Sequence, residues 1–247
     1  MDLPMNSLVL VAVSLVSVSA WAEIPNALEP DYADASLAYN AKDYDRAVRR
    51  INEVLARSPE NARLPEFLEL KALSLKAARK DKESVEIYEL LIRSRVEAGR
   101  PASEIAPYHF ELGMIRDREK RVEDAKTHFR FAAEEGFNEG PANFYLGSYA
   151  YKAEQWDEAG DRFRDVASSD ADELKPPAYF YLGQISLKSQ DGAGATRSFL
   201  AARNRSRDVL GDERSGAEAR SIATQVGEAT EKVLAPFDLS LIHISEP

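Results

Sequence analysis

The feature that most constrains this chain is a short pattern that returns at fixed spacing. Phe110-Glu111-Leu112-Gly113, Phe144-Tyr145-Leu146-Gly147 and Phe180-Tyr181-Leu182-Gly183 align without gaps. An Ala recurs at the same offset after each Gly, at Ala125, Ala159 and Ala195. An aromatic follows four residues later, at Phe129, Phe163 and Phe199. The step from Gly113 to Gly147 is 34 residues and that from Gly147 to Gly183 is 36, with the extra pair falling near Pro176-Pro177. A period of this length marks an array of similar helical units, each too small to bury its apolar face alone. Abundant Ala and Leu, with prolines between the periodic segments, favour helix throughout. Hydrophobic residues make up 44% of the chain and charged residues 30%, a globular balance and not a disordered one.

Leu-Gly on a first helix, then Ala and Phe on a second, resembles the tetratricopeptide repeat (TPR) family. The Trp that often opens the family motif is replaced here by His109, Asn143 and Tyr179. The resemblance implies helical hairpins in which Gly and Ala sit where two antiparallel helices approach closest. Phe129, Phe163 and Phe199 then fill the gap to the next hairpin, and Tyr44 and Trp156 cover hairpin ends. The structural signature residues are therefore Leu112, Gly113, Ala125, Phe129, Leu146, Gly147, Ala159, Phe163, Leu182, Gly183, Ala195 and Phe199. Two weaker repeats precede them. Asp31 to Asn40 reads as a first helix, with Tyr44, Ala47, Ile51, Val54 and Pro59 on a second helix and its stop. Ala72, Ser84, Tyr88 and Leu91 fit another hairpin, with Ser in place of the small Ala. Arg95 to Ala106 reads as a longer connection, helped by Gly99 and Pro101.

The expected fold class is all-α: an α-solenoid of about five TPR-like hairpins between about residues 28 and 204. A capping helix from Asp212 to Leu234 carries Ala219, Ile222, Ala223, Val226 and Val233 mostly on one face. A generic helical bundle is the alternative, but bundles do not repeat Leu-Gly and Ala at fixed offsets.

Both ends read as lying outside this domain. Ser7 to Ala20 is an apolar run followed by Ala20-Trp21-Ala22, small residues placed as signal peptidase requires. Residues 1–22 are thus expected to be a signal peptide, leaving Glu23 at the mature N-terminus. The run is too short for a comfortable membrane span, which takes roughly 20 residues. It departs from the pattern in carrying no Lys or Arg before the apolar core. The repeat domain is assigned to residues 23–238. Residues 239–247, Leu-Ser-Leu-Ile-His-Ile-Ser-Glu-Pro, resemble the in-frame translation of a sequencing adapter. On that reading the natural sequence continues beyond Asp238 in some other way, and His243 carries no function.

The chemistry expected of the chain is binding and not catalysis. The formal charge is −10, or −8 once Asp2 and Glu246 are set aside, which disfavours nucleic acid as a partner. With no Cys there is no disulfide, thiol nucleophile or cysteine-held metal. His109 and His128 lie on different helices with no partner at metal-ligand spacing, so no metal or cofactor is expected. Glu134-Glu135 and Asp172-Glu173 read as solvated charges, and Gly192-Ala193-Gly194 as a hairpin turn and not a phosphate loop.

In TPR proteins the first helices line the concave side, and the residue three before the Gly faces inward. The resemblance therefore places Phe110, Phe144 and Phe180 in a groove. Met114, Ser148 and Gln184, then Asp117, Tyr151 and Leu187, continue the same stripe. An aromatic groove suits a protein or peptide partner with apolar anchors; packing of these rings against neighbouring helices is the competing outcome. The expected function is a periplasmic or cell-envelope interaction scaffold. It reads either as the repeat module of an outer-membrane β-barrel export or assembly protein, or as a complete soluble scaffold for envelope enzymes. An enzyme whose catalytic domain lies elsewhere is the third reading, and membrane contact is expected only through a missing C-terminal region.

Overall fold

A computed structural model describes residues 28–57 and 65–242, with side chains through Ala235. The expected leader, Pro59 and His243 lie outside the described residues. Eleven α-helices and no strand are found among the described residues. They are α1 (Glu29–Asn40), α2 (Tyr44–Arg57), α3 (Pro65–Ala77), α4 (Asp81–Glu97), α5 (Ala102–Arg118), α6 (Val122–Glu134), α7 (Glu139–Lys152), α8 (Trp156–Ser168), α9 (Lys175–Lys188), α10 (Gly192–Gly211) and α11 (Ala217–Ile242). Helices α1 to α10 pair into five hairpins, and α11 packs on the last of them. The backbone of α11 stays helical past Asp238, through Leu239–Ile242. The described residues divide into two compact units, with the boundary along the chain between Phe137 and Asn138.

All five hairpins turn in the same way. The residue after the C-cap adopts a left-handed conformation: Lys42, Arg79, Lys120, Glu154 and Gln190, with φ between 58° and 62°. Its N–H reaches back three residues and the next N–H reaches back five, as in Lys42 to Tyr39 O and Asp43 to Ala38 O, both 2.9 Å. This double closure satisfies carbonyls that the helix end leaves unpaired. Glycine is the usual occupant of such a position, and here long polar side chains take it instead. Gly99 and Gly136 hold the same role, at φ 65° and 71°, in the links that leave α4 and α6. The Arg95–Ala106 connection is therefore shorter than expected. Helix α4 runs to Glu97, Gly99 turns the chain, and Pro101 caps α5, which tolerates Pro107 inside it.

In the N-terminal unit, residues 28–137, Tyr32, Ile51, Val54, Phe67 and Leu70 form one cluster. Ala72, Tyr88, Leu91, Tyr108, Leu112 and Ile115 form another. Ser84 occupies the close contact held by Ala in other hairpins, and its Oγ donates to Ala72 O across the hairpin at 2.8 Å. In the C-terminal unit, residues 138–242, a larger cluster runs from Phe144 and Phe163 through Tyr181 and Phe199 to Ile222, Val226 and Leu234.

The repeat extends to the geometry of its rings. Phe110 meets Phe129, Phe144 meets Phe163 and Phe180 meets Phe199, edge to face, at 5.5, 5.6 and 5.5 Å with interplanar angles of 67°, 65° and 64°. The Gly of each first helix explains the closeness. A Cβ on Gly113 or Gly183 would lie 2.8 or 2.7 Å from the ring of Phe129 or Phe199, and one on Gly147 would lie 3.1 Å from Phe163. The Phe of each second helix therefore first covers the Gly of its own hairpin. Phe163 also reaches the following hairpin, stacking on Tyr181 at 4.9 Å and 12°. The expected aromatic covers at hairpin ends are present, Tyr39 on Tyr44 at 5.6 Å and Tyr151 edge-on to Trp156 at 5.2 Å.

Candidate functional site

The structure does not expose the expected aromatic stripe. Phe110, Phe144 and Phe180 are 0, 2 and 1% exposed, and Ser148 is 2% exposed. Met114, Asp117, Tyr151 and Gln184 on that stripe are half-buried, and Leu187 is exposed. The correction has a physical cause. A residue three before the Gly lies on the same helix face as the Gly, and the missing Cβ draws the second helix onto that face. The rings are thereby enclosed in the hairpin and serve as core. Tyr151 is held edge-on by Trp156 and by Tyr181 at 5.0 Å, so its ring is also a packing element.

A concavity among the described residues lies in the C-terminal unit, and its wall includes Asp172-Glu173, which read in the sequence as solvated charge. It has a volume of about 670 Å³. One wall comes from the link between α8 and α9, where Asp170, Asp172 and Glu173 stand around a short 3₁₀ turn, Asp172–Leu174. The other comes from the end of α10, with Arg205, Asp208, Val209 and Asp212, and from the following loop and α11 start, Arg214 to Ala219. Val209 and Ala219 are buried beneath it and pack with Ala223.

Two peculiarities of chain length build this cleft. The 36-residue step inserts the 3₁₀ turn, and α10 runs for 20 residues where the other second helices span 13 to 17. Arg220 then fixes the loop. Its guanidinium donates to Leu210 O at 3.1 Å, Asp212 O at 2.8 Å and Ser215 O at 3.2 Å, closing carbonyls at the α10 terminus.

The cleft is acidic. Six carboxylates line it against two arginines, and both arginines are already engaged. Arg205 meets Asp208 at 3.2 Å and Arg214 meets Asp212 at 3.0 Å. Hydrogen bonds from the Arg214 side chain and backbone hold the Asp212 carboxyl below its usual range. Lys175 pairs with Asp172 at 2.7 Å. Asp170, Glu173 and Glu218 contribute uncompensated negative charge to an apolar floor.

A few polar groups of the N-terminal unit are buried or half-buried and paired. Glu111, 2% exposed, pairs with Lys76 and ties α5 to α3. Tyr108 donates to Glu69, and Arg95 lies 3.7 Å from Glu69 and 3.3 Å from Glu104. Burial raises the Glu69 carboxyl and, together with the Glu69 charge, raises the Tyr108 hydroxyl. His109 and His128 come together with Nδ1 atoms 2.9 Å apart, although 19 residues separate them. Among the described residues no group of three or more His, Asp or Glu converges as a metal site would. No described helix is long and apolar enough to cross a membrane.

No protein-family model matches the chain. No curated protein matches it significantly either. Solved structures do. It is similar to BtubC (BKLC) from P. vanneervenii, with a TM-score of 0.59 and 18% identity over 76% of this chain and 83% of that one. MamA gives a TM-score of 0.56 and 16% identity over 70% and 95% of the two chains. The C-terminal part of a TPR repeat-containing protein from Cytophaga hutchinsonii gives 0.56 and 18% over 83% and 80%. At these identities the likeness is one of fold, and that fold is TPR-like, as the Leu-Gly and Ala spacing led us to expect.

Proposed function

We propose that this protein is an exported, non-catalytic interaction scaffold, and that the acidic cleft of its C-terminal unit receives a basic segment of a partner protein. The cleft carries this reading. It joins an apolar floor at Val209 and Ala219 to carboxylates left without cations, in an array whose repeat rings Phe110, Phe144 and Phe180 are enclosed. Lys or Arg side chains offer apolar stems for the floor and charged heads for the rim. Rim charges of this kind chiefly set encounter rate and salt dependence. The test is binding of a Lys/Arg-rich peptide, measured against ionic strength, with Asp170→Lys/Glu173→Lys as the control variant. Binding to the native chain that weakens with salt and is lost in the variant supports the proposal. Equal binding to both, or binding to neither, refutes the cleft as the docking site.

Export rests on the apolar run and small-residue cleavage pattern before Glu23. Mass spectrometry of the protein from an envelope fraction should give Glu23 as its first residue, and a cytoplasmic product retaining Met1 would end this part of the reading. The more specific proposal is that the array precedes an outer-membrane β-barrel. The gene sequence downstream of the Asp238 codon tests it: alternating apolar strands of about 10 residues support a barrel, and an immediate stop codon supports a free scaffold.

A further inference from the structure

The imidazoles of His109 on α5 and His128 on α6 face each other. Their Nδ1 atoms are 2.9 Å apart while the ring centroids are 5.1 Å apart, so both nitrogens lie close to the line joining the centroids. Each Nδ1 thus points at the other, and only one proton fits between them. In the neutral pair one ring donates from Nδ1–H and the other accepts at Nδ1 with its own proton on Nε2. The His109 ring is also stacked on Phe131 of α6, at 4.1 Å and 26°. The contact therefore joins the two helices of the third hairpin through a hydrogen bond and a ring stack together.

The charged groups around the pair distinguish the rings. Burial lowers His128 as well, and Arg116 of α5 and Arg121 at the start of α6 add to that, while Asp124 of α6 and Glu89 of α4 favour its positive form. Arg116 itself lies 2.8 Å from Glu119 and 3.8 Å from Glu89, which tempers its repulsion. No carboxylate acts on His109, which is affected only by burial and by His128.

We propose that His109 and His128 form a two-step proton switch in the third hairpin, in which the first proton keeps the hairpin closed and the second opens it. His128 is the donor. Its first added proton goes to Nε2, leaving Nδ1–H in place and strengthening the bond to His109 by charge. The second proton must take the Nδ1 lone pair of His109, which is the acceptor of that bond. Two imidazolium rings then face each other, the bond is lost, and His109 leaves Phe131. Burial and the neighbouring His128 charge bring the His109 step down to about pH 4, below the ordinary histidine range.

The test is nitrogen-15 NMR of the histidine rings in the full chain across a pH titration. The expected result near neutral pH is opposite tautomers, Nδ1–H on His128 and Nε2–H on His109. As pH falls His128 should titrate first and His109 only near pH 4. Amide exchange supplies the second measurement. Protection along α6 should fall severalfold more between pH 6 and pH 4 in the native chain than in His109→Phe, since one proton taken up on opening changes the equilibrium by at most about tenfold per pH unit. His109→Phe keeps a ring against Phe131 and removes the switch. Two Nε2–H tautomers titrating together near the usual value of about 6.5, or equal loss of protection in both proteins, would overturn the proposal. If His109→Phe does not fold, the tautomers and the order of titration in the native chain decide the matter alone.

Discussion

The three repeat glycines make a graded test of the packing. A methyl group at Gly183 would lie 2.7, 2.8 and 2.8 Å from three atoms of the Phe199 ring, a fully buried side chain. At Gly113 the nearest atom of Phe129 is 2.8 Å away, and at Gly147 the nearest atoms, on Arg162 and Phe163, are 3.1 Å away. Two effects compete in a Gly→Ala change here. Replacing a mid-helix glycine gains about 1 kcal/mol in helix propensity. Overpacking a dense core costs about 1–3 kcal/mol. At Gly147 a shift of a few tenths of an ångström relieves the contact, so the terms nearly cancel and stability should change by less than about 1 kcal/mol. At Gly183 the ring must move bodily within the core, and a net loss of about 1–2 kcal/mol is expected; Gly113→Ala should fall close to it. Urea unfolding followed by circular dichroism, together with Trp156 fluorescence for the C-terminal unit, measures the series. Phe199→Leu in the Gly183→Ala background should recover part of the loss, giving a positive coupling in a double-mutant cycle. If Gly183→Ala proves as stable as Gly147→Ala, or if Phe199→Leu adds to the loss in full, the ring-over-glycine account is refuted.

Truncating Phe144 to Ala should cost about 3–5 kcal/mol in unfolding free energy, as for other buried aromatics; a loss below 1 kcal/mol would mean that the ring is not enclosed. Gln155 begins α8 without a side-chain cap, whereas Asp43 and Asp191 at the equivalent turns accept N–H bonds from Arg46 and Gly194 at 3.1 and 2.8 Å. Gln155→Asp should therefore raise stability by about 1 kcal/mol, read as a higher urea midpoint. Arg220→Ala removes three bonds to backbone carbonyls and should lower stability by about 1–3 kcal/mol; an unchanged melting temperature would show that the loop closes without it. His109 is held neutral in the folded chain, so the unfolded chain takes up its proton first on acidification. Its contribution should be complete above about pH 6.5 and decline toward pH 4, by about 2 kcal/mol after allowance for partial exposure. Unfolding free energies measured between pH 7 and pH 5, above most carboxylate titration, should fall more steeply for the native chain than for His109→Phe.

The hairpins could be read in the sequence because they depend on side-chain size. Gly113, Gly147 and Gly183 have one packing role, and Ala125, Ala159 and Ala195 complement it at a constant offset. The fate of the three Phe residues before those glycines was not legible on the same grounds. A stripe at i, i+4 and i+7 identifies a helix face, but it does not say whether that face meets solvent or the second helix of its own hairpin. Spacing hid the His109–His128 contact as well. Nineteen residues separate the two histidines along the chain, and they meet only because α5 and α6 fold back on one another. The cleft left a trace in the 36-residue step, since two additional residues in a regular array must be accommodated somewhere. That trace could be interpreted only with the length of α10, which no motif announces.

The turns have a consequence for surface evolution. Their left-handed residue works through the backbone, and its side chain makes no bond that closes the turn, so the position is a free variable for charge. In the N-terminal unit it is Lys42, Arg79 and Lys120; in the C-terminal unit it is Glu154 and Gln190. Each unit's hairpin ends therefore carry a sign set by substitutions that leave its packing alone. An array built in this way can acquire a new electrostatic preference one turn at a time, at sites where a mutation from Lys to Glu costs the fold almost nothing.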